Sequence, residues 1–370
     1  MQIPLSSPDI TKKEIKAVTD VLSTPHLSLG PKLPEFEQAL ADYAGVKYAV
    51  AVNSGTSALH LIVRALGIGQ GDEVITTPFS FIASANCILF EQAKPVFVDI
   101  DPRTMNIDAS KIEEKITKNT KAILAVDVFG YPAEWAELEK LAKKHGLALI
   151  EDSCEALGAQ YRRKKAGSFG NAGCFAFYPN KQITTGEGGV IVTNDKKISQ
   201  LCKSMRNQGR DENAGWLQHQ RLGYNYRLSD INCALGIAQM RRLDEILDKR
   251  ERVAGMYHDR LRSLKGIELP PRSTDRIKRS WFVYVVKLSA GYKLKDRDFI
   301  LKGLRRKGIG CNDYFSPIHL QPFYVEMFGF KKGDFPVTET VSQRTIALPF
   351  YNNLKAEQAG YVADTLKDLL

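Results

Sequence analysis

Short apolar runs alternate with amphipathic segments between about residue 47 and residue 193 of this 370-residue chain. Each run has four or five residues rich in Val, Ile and Ala, as expected for strands that are buried on both faces. The predicted strands are 48–52, 73–76, 95–98, 122–126, 148–151, 174–178 and 190–193, and the predicted helices between them are 57–66, 81–90, 109–116 and 133–144. This alternation predicts an α/β domain with a mostly parallel, seven-stranded sheet flanked by helices.

The pattern changes after residue 240. A long charged helical stretch, 241–264, leads to Pro270-Pro271, where a helix must end. A strand at 281–288 and helices at 296–307 and 356–369 then indicate a smaller C-terminal α+β domain. Two helices, 12–22 and 34–43, are predicted ahead of the sheet. We divide the chain into a large domain, residues 1–245, and a small domain, residues 246–370, because one core rarely serves so long a chain.

Composition excludes several classes of protein. With 44% hydrophobic and 25% charged residues, the chain is neither collagen-like nor disordered. The chain has a net charge of +10, but its sequence contains no recognisable DNA-reading motif, so we expect no nucleic-acid partner. The positive charge favours a phosphorylated small molecule. The six cysteines form no C-x-x-C pair, and we expect reduced thiols and no metal site. No apolar run approaches the roughly 20 residues of a membrane span, which predicts a cytoplasmic protein without a membrane partner.

Small and hydroxylated residues stand where the first predicted strand meets a helix. The segment Asn53-Ser54-Gly55-Thr56 would offer free backbone N–H groups and hydroxyls at a helix N-terminus, which is typical of a phosphate site. The alternative is an ordinary helix cap, since Ser, Thr and Asn begin helices routinely.

Two further segments carry candidate chemistry. Glu151 and Asp152 end an apolar strand and must point to opposite faces, so only one can reach a site there, or Asp152 simply caps a helix. Lys181 stands before a Gly- and Thr-rich connection, where it is either a surface lysine or an amine nucleophile in an apolar pocket. With Phe81 as a stacking aromatic, these are the parts that a pyridoxal phosphate (PLP) enzyme needs.

The chain resembles the DegT/DnrJ/EryC1/StrS family of PLP-dependent nucleotide-sugar aminotransferases, which have the fold type I aminotransferase architecture. The motifs that carry the resemblance are Asn53-Ser54-Gly55-Thr56-Ser57, Glu151-Asp152, Pro179-Asn180-Lys181, Thr185-Gly186-Glu187-Gly188-Gly189, Gly223-Tyr224-Asn225-Tyr226-Arg227 and Pro317-Ile318-His319. They occur in order over nearly the whole chain.

The resemblance implies a role for each motif. Lys181 would form the Schiff base with PLP, Asp152 would pair with the pyridine nitrogen, and Phe81 would stack on the ring. Ser54, Gly55 and Thr56 would hold the phosphate. Asn225 would cross to the partner's cofactor phosphate, which implies a homodimer with shared active sites.

Two positions depart from the family pattern. Glu155 stands where many members have Gln or His, close to the ring hydroxyl, and Ala176 stands where many have a phosphate-binding Ser. The lost hydroxyl would be replaced by Gln182 or Thr56.

The activity implied is transfer of an amino group from L-glutamate to a nucleotide-linked keto-sugar. A 4-keto-6-deoxyhexose, giving a 4-amino sugar for surface polysaccharide or glycan synthesis, is our preferred acceptor; a sugar C3 position or a keto-cyclitol are alternatives. A non-transaminating PLP-binding regulator and a PLP lyase or decarboxylase also remain open. Arg206, Tyr314 and His319 are candidates for sugar contacts, although His319 would equally suit a hydrogen-bonded histidine in a Pro-rich turn.

Overall fold

A computed structural model describes all residues except Glu212, Ala214 and Trp216. Its strands are β1 (Tyr48–Val52), β2 (Glu73–Thr76), β3 (Lys94–Phe97), β4 (Thr120–Val126), β5 (Ala148–Asp152), β6 (Gln160–Tyr161), β7 (Lys164–Lys165), β8 (Ala172–Ala176), β9 (Gly189–Thr193), β10 (Ile267–Glu268), β11 (Ile277–Lys278), β12 (Tyr284–Leu288) and β13 (Thr345–Leu348). Its α-helices are α1 (Lys12–Leu22), α2 (Lys32–Ala44), α3 (Gly55–Ala65), α4 (Ala83–Leu89), α5 (Trp135–His145), α6 (Lys196–Arg206), α7 (Asp230–Met240), α8 (Leu243–Leu261), α9 (Leu294–Arg306), α10 (Pro322–Phe328), α11 (Pro336–Ser342) and α12 (Ala356–Leu369).

A seven-stranded sheet in the order β1-β9-β8-β5-β4-β2-β3 forms the centre of the large domain. Strand β9 runs antiparallel to β1 and β8, and the other six strands share one direction. Strands β2, β4, β5, β8 and β9 are buried almost throughout, since helices cover both faces of the sheet. The predicted mostly parallel sheet is confirmed.

The helices begin and end where capping residues stand. The Ser54 side chain accepts a hydrogen bond from the Ser57 N–H at the start of α3, and Gly146 ends α5 in the left-handed conformation at φ 64°. The predicted helix at 109–116 is wrong. Two 3₁₀ turns, Ala109–Lys111 and Glu113–Lys115, occupy that segment, and the extended backbone of Ile116 ends them before an α-helix can form.

The C-terminal part is built on a three-stranded antiparallel sheet in the order β10-β12-β13. Helices α8, α9 and α12 cover it, and their core includes Tyr257, Tyr284, Leu304 and Leu366. Our division at residues 245 and 246 falls near the start of α8. A second small sheet, β11-β6-β7, joins a strand that follows α8 to the large domain, and the sequence pattern did not predict it.

Among the described residues, no helix is both long and apolar enough to cross a membrane.

Candidate active site

A cleft of about 550 Å³ opens at the carboxyl ends of the parallel strands. The segments that follow β2, β5 and β8 and the N-terminus of α3 form most of its wall. Residues Tyr314 and Phe315, which follow α9, close one side. Ligands bind at this edge of open α/β sheets because the loops that follow the strands converge there.

The N-terminus of α3 presents backbone N–H groups to the cleft. Ser54, Gly55 and Thr56 all line it, and Ser54 caps the helix at the same time, so the two sequence interpretations of this segment are compatible. A Cβ atom on Gly55 would lie 2.7 Å from Ala176 Cβ and 2.9 Å from Cys154 Sγ. Only glycine fits at this close approach. The first amide groups of α3 and the positive end of its dipole therefore face the cleft, where they could bind an anion.

Asp152 is the carboxylate that reaches the cleft, whereas Glu151 points to the opposite face of the sheet. Asp152 Oδ2 accepts a hydrogen bond from Ser84 Oγ at 2.7 Å, and Oδ1 accepts one from the Cys154 N–H at 3.2 Å. Ser80 Oγ lies 2.8 Å from Ser84 Oγ and extends this chain of hydroxyls. The carboxylate is therefore held in one orientation, and no helix follows it for it to cap.

Lys181 lines the same cleft as the phosphate cradle, the name we give to Ser54, Gly55 and Thr56 at the N-terminus of α3, and 14% of its side chain is exposed. Its Nζ is 3.7 Å from Glu155 Oε1 and 4.0 Å from the centre of the Phe282 ring. Glu155 Oε2 accepts the N–H of Phe129 at 2.8 Å. Burial raises the pKa of Glu155, and the Lys181 ammonium opposes that rise.

Aromatic side chains border the mouth of the cleft. Phe81 is 62% exposed although its ring lines the cleft, and Tyr178 is 53% exposed beside it. Burial raises the pKa of Tyr314, and the nearby Glu155 carboxylate raises it further. The Tyr314 phenol therefore stays a neutral hydrogen-bonding group at neutral pH.

The structure does not bring Arg206 and His319, two of the candidates for sugar contacts, to this cleft. Arg206 is buried beside Glu37, with which it forms an ion pair, and donates to the Ala51 carbonyl oxygen at 2.6 Å. His319 is fully buried, 3.1 Å from Glu339 Oε1 and packed on Phe335. Both have internal partners, although Arg206 Nε and His319 Nδ1 are buried without a hydrogen-bond partner among the described residues.

Two expected phosphate contacts also lie elsewhere within one chain. Gln182 Nε2 donates to the Glu155 carbonyl oxygen at 2.6 Å and contacts Ser280, so it does not replace the hydroxyl missing at Ala176. Asn225 is exposed and absent from the walls of its own chain's cleft. An exposed position is what a contact with a second subunit requires.

Comparison with known proteins identifies the family. The model of the DegT/DnrJ/EryC1/StrS aminotransferase family matches residues 8–367. The chain belongs to this family. GDP-perosamine synthase of Caulobacter vibrioides is 39% identical to it over 100% of this chain and 98% of that protein. The UDP-4-amino-4,6-dideoxy-N-acetyl-beta-L-altrosamine transaminase of Campylobacter jejuni is 36% identical over 100% of this chain and 97% of its own.

A solved structure agrees with the sequence comparison. PseC of Helicobacter pylori, an aminotransferase involved in the biosynthesis of pseudoaminic acid, is similar with a TM-score of 0.93 and 32% identity over 100% of this chain and 99% of that one. The sequence-based assignment to the family and to fold type I is confirmed, and the chain is a PLP-dependent aminotransferase.

The residues of the cleft fit PLP. The cradle at α3 suits its phosphate, Asp152 suits a protonated ring nitrogen, and Lys181 provides the amine. In addition, Asn180 Oδ1 is buried at the wall without a hydrogen-bond partner among the described residues. A buried acceptor of this kind usually has a partner, which a ligand with hydroxyl or amine groups would supply.

Sequence reasoning did not find several residues of this site. Ser84, Cys154, Phe282 and Phe315 reach the cleft from α4, the β5–β6 connection, the segment before β12 and the segment after α9. Ser84 lies 68 residues from the carboxylate that it binds. No local pattern distinguishes such a serine from other serines at the start of a helix.

Proposed function

We propose that this aminotransferase transfers the amino group of L-glutamate to a nucleotide-linked keto-sugar, and that the acceptor is a 4-keto-6-deoxyhexose that becomes a 4-amino sugar for a surface polysaccharide or glycan. The observation that carries this proposal is the similarity, over the full length of the chain, to transaminases named for GDP- and UDP-linked amino sugars. The name of the Campylobacter relative places the amine at C4. The net charge of +10 suits a diphosphate-bearing substrate.

When bound, PLP supplies a carbonyl that condenses with amines and a ring that accepts electrons. In the proposal, Lys181 Nζ would hold the cofactor and, once released, would take a proton from the α-carbon of the amino donor and deliver it to the carbon that was the cofactor's carbonyl. Glu155, 3.7 Å away, stabilises the charged form of that amine. Asp152 holds a proton at the pyridine nitrogen, and Ser84 fixes the orientation of Asp152.

The remaining contacts follow from the same geometry. The N–H groups of Gly55 and Thr56 and the Ser54 hydroxyl would bind the phosphate, with Thr56 in place of the hydroxyl missing at Ala176. Phe81 would stack on the ring, and Tyr314 would contact the sugar from the side of the small domain. Asn225, which is exposed, would bind the partner's phosphate in a homodimer. Location in the cytoplasm stays a prediction.

Lys181→Ala tests the proposed chemistry. We expect loss of turnover, loss of the absorption band of lysine-bound PLP, and no borohydride-stable label at that position, because Lys181 is the one lysine among the described residues that line the cleft. Lys140→Ala, which changes an exposed lysine of α5, should behave as wild type. Turnover of Lys181→Ala at the wild-type rate would rule out this assignment.

The amino donor and the acceptor need a separate experiment. The PLP-loaded protein is mixed with L-glutamate alone, and conversion to the pyridoxamine form is followed by absorbance. Nucleotide-linked 4-keto sugars, 3-keto sugars and a keto-cyclitol are then offered to the product. Amination of the 4-keto sugar alone supports the proposal. Preference for another acceptor corrects the substrate, and absence of any amine transfer favours the lyase or regulator alternatives.

A further inference from the structure

A group of two thiols and one carboxylate lies at the wall of the cleft, on strands β5 and β8 and the turn after β5. Cys154 Sγ lies 3.5 Å from Cys174 Sγ, and Cys174 Sγ lies 3.8 Å from Asp152 Oδ1. Each residue offers one ligand atom, and the three atoms lie within 4.8 Å of one another. Neighbouring parallel strands bring the residues together, since Asp152 pairs with Cys174 in the ladder.

We propose that Asp152, Cys154 and Cys174 form a site for a thiophilic divalent cation such as Zn²⁺, and that this cation and PLP exclude each other. A tetrahedral zinc site with Zn–S bonds near 2.3 Å has S···S edges of about 3.8 Å and S···O edges of about 3.6 Å. The observed separations of 3.5 and 3.8 Å are close to two of these edges, and the third separation, between the Cys154 and Asp152 ligand atoms, is at most 4.8 Å. Little movement of the chain is needed to close three ligands around one ion.

The surroundings define the kind of ion and the number of ligands. Two thiolates and one carboxylate favour Zn²⁺ or Cd²⁺ over Mg²⁺ or Ca²⁺, which prefer oxygen ligands. Cys154 is only partly buried and lines the cleft, so the fourth position would open towards solvent. Binding releases the two thiol protons to the buffer and changes no oxidation state. The sequence showed no C-x-x-C spacing because the two cysteines stand 20 residues apart and meet only through the sheet.

Exclusion of PLP rests on the proposed role of Asp152. A carboxylate that ligates a cation is a weaker acceptor for the proton of the pyridine nitrogen, and the cation would place a second positive charge beside the protonated ring. The apoenzyme is therefore the form that binds the cation, and PLP protects the site. This would make loading with the cofactor sensitive to free Zn²⁺.

The experiment titrates Cd²⁺ into cofactor-free protein under a non-thiol reductant and follows the ultraviolet charge-transfer band of Cd–thiolate bonds. We expect one equivalent per chain, with no response to Mg²⁺. Cys154→Ala and Cys174→Ala should each weaken binding by about tenfold or more. Cys202→Ala is the matched control, because that buried thiol lies in α6 and contacts the Leu61 carbonyl oxygen instead. Thermal melting of each variant checks that it is folded.

The same titration is repeated on the PLP-loaded protein, where we expect at least a tenfold loss of Cd²⁺ affinity. An unchanged titration in Cys174→Ala, or equal affinity with and without PLP, would overturn the proposal. The cofactor-free Lys181→Ala protein should keep the Cd²⁺ signal. Failure of the transaminase assignment is therefore distinguishable from failure of the metal site.

Discussion

Two carboxyl groups on the face of the sheet opposite the cleft share a single hydroxyl. Ser153 Oγ lies 2.8 Å from Asp127 Oδ2 and 2.7 Å from Glu151 Oε1, although it has only one proton to donate. Burial raises the pKa of Asp127 to about 6 and raises that of Glu151 well above its usual value. The folded protein therefore retains a proton in this pair at a pH where the unfolded chain releases it.

Asp127→Asn should stabilise the protein as pH rises from 5 to 8. In the wild type, protonated Asp127 contributes stability because its pKa is raised on folding. This contribution is fully present below the unfolded pKa of 3.8 and is lost as pH rises through about 6, a difference of up to about 3 kcal/mol. Asparagine keeps the acceptor for the Ala133 and Trp135 N–H groups, and its amide can donate to Ser153. Thermal melting should show a gain over wild type that grows between pH 5 and pH 8.

Glu151→Gln is the matched control for that substitution. Glu151 Oε1 accepts the Gly167 N–H and Oε2 accepts the Phe169 N–H, so an amide NH₂ at either position would face a donor. The variant should lose about 1–3 kcal/mol at pH 8 despite removing the same charge. Equal melting temperatures for the two variants would contradict this account of the pair.

Ser84 lines the cleft and positions the Asp152 carboxylate. Ser84→Ala removes the donor to Asp152 Oδ2, and we expect PLP to bind about tenfold more weakly, since a hydrogen bond to a charged group contributes about 1.5–3 kcal/mol. Ser80→Ala, one hydroxyl further from the carboxylate, should have a smaller effect. Equilibrium titration with PLP measures both. Equal losses of affinity in the two variants would contradict the expectation that the direct hydrogen bond from Ser84 to Asp152 matters more than the contact from Ser80.

The beginning of α3 is the element on which the phosphate site depends. Gly55→Ala would place a Cβ atom 2.7 Å from Ala176 Cβ, so the first turn of the helix must move away from β8. We expect PLP affinity to fall towards that of pyridoxal, which lacks the phosphate. Binding of both compounds, measured by absorbance, tests this expectation.

A second glycine provides the control for Gly55. Gly255 lies within α8, and an added Cβ there meets no atom within 4 Å. Gly255→Ala should leave PLP binding unchanged and stabilise the protein by about 0.5–1 kcal/mol, because alanine loses less backbone entropy in a helix. Weaker PLP binding in this variant would mean that the effect at Gly55 is not local.

At the same scale, buried strands were the elements that the sequence predicted best. β1 and β2 have the predicted bounds, and the other five strands of the large sheet differ by one or two residues at their ends. The run of apolar residues in each of these strands was enough to predict its position. The β11-β6-β7 sheet has two-residue strands held by long-range pairing, such as Ile277 with Tyr161, so no periodicity could reveal it.

The residues of the candidate site were likewise predicted only where a local sequence pattern marks them. Asp152 and Lys181 belong to motifs that are continuous in sequence and could be placed by resemblance. Ser84 and Phe282 come to the cleft through tertiary structure. Arg206 and His319 lie outside the cleft and have buried internal partners, and nothing in the local sequence separates such a residue from one that binds a ligand.

The whole molecule raises the question of whether one chain holds a complete site. The cleft of a single chain has a cradle, a carboxylate and a lysine, whereas Asn225 is exposed and is not among the residues that line it. The flanking rings of Tyr224 and Tyr226 stack at 4.8 Å, and the Asn53 N–H donates to the Tyr226 carbonyl oxygen at 2.9 Å. A segment anchored in this way can present Asn225 rigidly to a second subunit.

Mixed dimers of Lys181→Ala and Asn225→Ala subunits decide the question, provided that each variant alone is inactive or nearly so. If Asn225 acts across the interface, a hybrid dimer has one site with an intact Lys181 and an intact partner Asn225. Random mixing should then restore about a quarter of wild-type activity, because about half of the dimers are hybrids and each has one working site. If Asn225 acts within its own chain, or the chain works as a monomer, no site in the mixture holds both residues, and activity stays at the level of the separate variants.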